Sequence, residues 1–63
     1  MTKKEIKRAI KEGKEMVWND PDPIEGNDYT ITKVSNLDDE TCLIHYGGGS
    51  EAGVYITEIQ LKQ

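Results

Sequence analysis

The sequence predicts a small α+β, mainly β, domain: one N-terminal helix over residues 2–13, then a strongly bent five-stranded antiparallel barrel over residues 15–62. Three observations lead there. Ile6, Ala9 and Ile10 repeat with helical spacing. After Lys14 the apolar period falls to two, with β-branched and aromatic residues in short runs. Clusters of turn formers separate those runs: Asp20-Pro21-Asp22-Pro23, Asn36 to Glu40, and Gly47-Gly48-Gly49-Ser50. Five short strands are too few for a two-sheet sandwich, and closing them into a barrel removes exposed edges.

Each element has a local cause. Thr2-Lys3-Lys4-Glu5 matches a capping box, in which Thr2 accepts from the Glu5 amide and Glu5 reaches back. Gly13 suits the left-handed position that ends a helix. Glu15–Asn19 reads as a short strand, and residues 20–28 as a loop, since Pro21 and Pro23 bar ladder pairing. Tyr29–Ser35 and Thr41–Tyr46 read as strands joined by a polar hairpin turn. Val54–Thr57 and Ile59–Lys62 follow, with a single 3₁₀ turn expected near Thr57-Glu58. The expected core is Ile6, Ile10, Val17, Ile31, Val34, Leu43, Val54, Ile56, Ile59 and Leu61. Ile31 and Val34 are oddly spaced for one face, which implies a bulge or sharp bend. Cys42-Leu43-Ile44 is apolar on both faces.

A chain of 63 residues buries a thin core and has little room for an enclosed pocket. Its single cysteine, Cys42, excludes an internal disulfide and reads as a small core hydrophobe. No apolar run is long enough for a signal peptide or membrane span, so a cytoplasmic location and no membrane association are expected. Charge is split. Residues 1–14 carry six bases against Glu5 and Glu12, net +4; residues 15–63 carry Lys33 and Lys62 against ten acids, net −8. An acidic body disfavours general nucleic-acid binding, although the helix flank of Lys4, Lys7, Arg8 and Lys11 could still touch phosphate.

No complete catalytic or metal set is present. A calcium loop begun at Asp20 would place Ile24, Glu25 and Ile31 where it needs a ligand, a glycine and a bidentate glutamate. The acidic loop therefore reads as a solvated turn, with Asp20 and Asp22 making Asx-type turns and Gly26 supplying an unusual dihedral. Cys42 and His45 alone make neither a zinc site nor a catalytic pair, being three apart on one strand. The Gly47–Ser50 run lacks the lysine and following helix of a phosphate-binding loop. Asp38, Asp39 and Glu40 are adjacent in a turn and solvated. No metal, no cofactor and no enzymatic activity are expected.

The aromatic residues suggest a surface. Trp18, Tyr29, Tyr46 and Tyr55 all fall on predicted strands. They either close the end of the barrel or form a recognition edge. In the second reading Trp18, Tyr29 and Tyr55, flanked by Asp20 and Asp22, hold a protein partner, with a basic one favoured by the acidic rim.

Val17-Trp18-Asn19-Asp20-Pro21-Asp22, then Tyr29-Thr30-Ile31, Ser50-Glu51-Ala52 and Val54-Tyr55, resemble the small SH3-like barrel proteins of unassigned function encoded by gut Bacteroidetes and their mobile elements. The likeness spans residues 14–61, and those proteins often carry an acid where this chain has Gly53. The strand order also resembles Tudor and KOW-type barrels, but the glycine and basic residues of a KOW motif are missing. The resemblance implies an SH3-like barrel and a bacterial or phage origin, and it implies no catalytic residue. The expected function is a non-enzymatic protein-interaction module. The alternatives are a nucleic-acid-associated protein using the basic helix, and an acidic phage inhibitor of a host nucleic-acid enzyme.

Overall fold

The computed structural model describes residues 1–63, with the elements in the order helix α1 (Lys3–Lys11), β1 (Met16–Trp18), β2 (Ile31–Ser35), β3 (Thr41–Tyr46), β4 (Ser50–Tyr55), a 3₁₀ turn (Ile56–Glu58) and β5 (Ile59–Leu61). The helix is one turn shorter than residues 2–13 because its caps stand outside it. Thr2 accepts from Glu5 N–H at 3.1 Å, and the Glu5 carboxylate accepts from Thr2 N–H at 2.8 Å. At the other end Gly13 has φ +69°; Lys14 N–H donates to Ala9 O and Gly13 N–H to Ile10 O, the paired bonds of a Schellman motif.

The strands form two antiparallel sheets, β1-β5 and β2-β3-β4. This corrects the expectation of a closed five-stranded barrel. The sheets touch through one isolated bridge, Val17 to Thr30, and β4 and β5 are not paired. The reason is the 3₁₀ turn between them: Ile56 N–H still donates to Glu40 O in the β3–β4 register, and Ile59 N–H then donates to Ile56 O, so the chain turns before β5 can lie along β4. The shift anticipated from Ile31 and Val34 is present as a register change between Ile31 and Lys33 on β2. β4 starts at Ser50 rather than Val54, so Gly53 lies inside a strand.

The core comprises Ile6, Ala9, Met16, Cys42, Ile44, Val54, Ile56 and Ile59. Four of the expected core residues, Ile6, Val54, Ile56 and Ile59, are among them. Ile10 and Leu61 are instead exposed, at 52% and 43%. The helix turns the line between Ile6 and Ala9 inward, leaving Ile10 on its flank. Val17 and Leu43 are also displaced, because their strands use the other face. On β3, His45 pairs with Glu51 across the strands at 3.6 Å. Both must stay hydrated, so the odd-numbered face points out and Cys42 and Ile44 go in. Ile31 and Val34 are partly buried and pack against the core. Cys42 is buried as expected, and burial raises its thiol pKa.

The helix packs on the body through Ile6 and Ala9. Beside it, the Met1 ammonium donates to Ile56 O and Ile59 O, both at 2.9 Å. No helix is long and apolar enough to cross a membrane.

The turn before β3 is organised by one carboxylate. Asp38 Oδ1 accepts from the N–H groups of Glu40 at 2.8 Å and Thr41 at 2.7 Å. These bonds, that from Thr41 foremost, lower the Asp38 pKa below its ordinary value. Because the folded value is the lower one, Asp38 contributes stability above the ordinary aspartate range and loses it as pH falls toward its folded pKa. Asp38→Asn is expected to flatten the acid limb of a Tm-against-pH curve while leaving the fold intact. An unchanged acid limb would contradict this assignment.

Candidate functional site

One end of the molecule gathers the aromatic residues and the acidic loop. Trp18 closes β1, and its indole N–H donates to Glu58 Oε1 at 3.2 Å, fixing the ring against the 3₁₀ turn. Trp18 backbone N–H donates to Tyr29 O, and Asn19 N–H to Glu58 O. Together these bonds bring the two ends of the long loop beside β5. Tyr46 ends β3 opposite Ile31 and Ser50.

The three rings form one cluster. Trp18 meets Tyr29 edge-on at 5.6 Å between centroids and Tyr46 at 5.4 Å; Tyr29 and Tyr46 stack at 5.4 Å with 26° between planes. At this spacing the rings fill the space between one another, so they do not make an open cage around a cation. All three are partly buried, which leaves a rigid aromatic platform rather than a socket.

The loop against this platform is braced internally. Asp20 Oδ1 accepts from Asp22 N–H at 2.9 Å, the Asx turn expected there. Asp22 makes no such turn. Asp28 makes the second, accepting from Thr30 N–H at 2.9 Å, and this bond lowers its pKa. Tyr29 Oη accepts from Ile24 N–H at 2.8 Å, tying the loop tip to the cluster. Gly26 has φ +88°, as expected for the unusual dihedral. Gly47 is also required here: its φ is +56°, and a Cβ would lie 3.2 Å from Asp28 O.

Asp20, Asp22, Glu25 and Asp28 form no ion pair within the chain, although salt bridges occur elsewhere. The loop also presents Ile24, which is 66% exposed. No group of three His, Cys, Asp or Glu side chains is close enough to hold a metal ion.

The sequence predicts Trp18, Tyr29, Tyr55, Asp20 and Asp22 in one surface. The first two and the loop are together; Tyr55 is not. It is 61% exposed and sits at the opposite end of the β3–β4 ladder, across from Thr41. Its place is taken by Tyr46, which shares the inward face of β3 with Cys42 and Ile44. No sequence signal singles it out, because Cys42-Leu43-Ile44 is apolar on both faces and leaves the orientation of the strand open. Glu58 was also missed, since its partner Trp18 lies 40 residues away in sequence.

Tyr55 instead lines an open groove with Met1, Lys3, Lys4, Lys7, Asp39 and Thr57. Lys3 reaches Asp39 at 4.0 Å, and Arg8 holds Glu12 at 3.1 Å. Lys4, Lys7 and Lys11 make no ion pair. No protein-family model, no curated protein and no solved structure matches the chain.

Proposed function

We propose that the chain is a non-enzymatic protein-interaction module that holds a basic, arginine-containing segment on the Trp18–Tyr29–Tyr46 platform beside the acidic loop. The observation that carries this reading is a set of four loop carboxylates that form no ion pair within the chain, next to a partly exposed three-ring surface. A guanidinium stacks on a ring face while pairing with a carboxylate, which suits this juxtaposition. The loop's internal hydrogen bonds reduce the ordering cost of binding.

For the fold, we read the two sheets, the long loop after β1 and the 3₁₀ turn before β5 as a partly open SH3-like barrel. A bacterial or phage source and a cytoplasmic setting belong to the same reading. A second reading, phosphate contact through Lys4, Lys7, Arg8 and Lys11, is favoured by the three lysines left without ion-pair partners.

The test is a Trp18 fluorescence titration with a synthetic arginine–glycine repeat peptide. Binding should weaken by about tenfold or more when Asp20→Asn, Asp22→Asn and Glu25→Gln are combined. These side chains are on the surface or at its margin, and asparagine at position 20 keeps the turn acceptor. Equal binding by the neutralised variant would overturn the reading, as would a wild-type chain that does not respond to the peptide.

A further inference from the structure

We propose that β4 is a self-association edge, pairing antiparallel with β4 of a second copy about a two-fold axis at Gly53. β4 ends the β2-β3-β4 sheet. The direction of its backbone groups follows from two bonds. Ile56 N–H donates to Glu40 O, on the β3 side, whereas Tyr55 N–H turns away to Glu58 Oε1 at a long 3.4 Å. Alternation along the strand then points the N–H and C=O groups of Glu51 and Gly53 away from β3. Both residues are exposed, and a Cβ on Gly53 would meet nothing within 4 Å. An open edge of this kind templates another strand unless charge, proline or cover blocks it. The neighbouring edge is treated differently: on β5 the Ile59 carbonyl is capped by the Met1 ammonium.

The occupant is a second copy because the strand is complementary to itself in this register. Gly53 meets Gly53 of the second copy, so the centre is bare backbone and two N–H···O=C bonds form there. Glu51 falls opposite Tyr55 of the second copy, and Tyr55 opposite Glu51, so no like charges face each other. On the inward face Ala52 falls opposite Val54 of the second copy, extending apolar contact across the seam. The sheets of the two copies join into one six-stranded sheet by a closed, isologous contact.

Sedimentation velocity over rising protein concentration tests this. The weight-average mass should climb from the 7.1 kDa of one chain toward twice that value and stop, with little dependence on salt. Gly53→Pro removes an N–H that the chain's own ladder does not use, so the fold and its circular dichroism should persist while self-association weakens by about tenfold or more. Tyr55→Glu sets carboxylates across the seam and should also weaken it; adding Glu51→Lys should restore it. If Gly53→Pro does not fold, the Tyr55→Glu and Glu51→Lys pair decides. A wild-type chain that stays at the mass of one copy into the millimolar range overturns the proposal. So does association that salt abolishes and these substitutions leave unchanged, which would assign it to the basic helix and acidic loop.

Discussion

Ile44→Ala is expected to destabilise the domain by about 2–5 kcal/mol, enough to leave much of it unfolded at physiological temperature. Ile44 is fully buried at the middle of β3, between Val34 on β2 and Ala52 on β4. A domain of this length has only about 3–9 kcal/mol in total, at the usual stability per residue. No neighbouring element can close the cavity cheaply, since β3 is the central strand of its sheet. Urea unfolding followed by Trp18 fluorescence measures the change. Leu43→Ala, one residue away but on the outer face, should cost less than about 1.5 kcal/mol. Equal effects of the two substitutions would contradict the face assignment of β3.

Ile6→Ala should have an effect of similar size, about 2–5 kcal/mol, and should uncouple the helix from the body. A helix of 9 residues is too short to stand alone in water, even with the Thr2–Glu5 box and the Gly13 terminator. It persists because Ile6, fully buried, and Ala9 dock into the core. The loss should appear in far-ultraviolet circular dichroism and in a lowered urea midpoint. Ile10→Ala, on the exposed flank, should leave both nearly unchanged, because alanine is the better helix former. A large effect at Ile10 with little at Ile6 would show that the helix docks by its other edge.

What could be read from the sequence was local. The capping box, the Gly13 terminator, the Asp20 turn, the Gly26 dihedral and the 3₁₀ turn before β5 all depend on residues within a few positions of each other. The face of β3 was not readable, because Cys42, Leu43 and Ile44 are apolar on both sides. It is decided by the His45–Glu51 pair across two strands. The open seam was not readable either, because Ile56 has the apolar character of a strand residue and still bonds to Glu40 O in the β3–β4 register, yet it opens the 3₁₀ turn that Ile59 N–H closes on its carbonyl.

The candidate site shows the same division. Trp18, Tyr29 and the acidic loop were found by sequence adjacency. Tyr55 is expected there only as an aromatic residue on a predicted strand, and it sits instead at the far end of the ladder. Tyr46 and Glu58 join Trp18 only through tertiary contacts.

The most direct test of the interaction reading is amide chemical-shift mapping in ¹⁵N-labelled protein titrated with the arginine–glycine peptide. The account predicts perturbations at the Trp18 indole N–H, across Asp20–Asp28, and at Tyr29 and Tyr46, with α1 unaffected. Shifts confined to Lys4, Lys7, Arg8 and Lys11, seen with duplex DNA in place of the peptide, would contradict it.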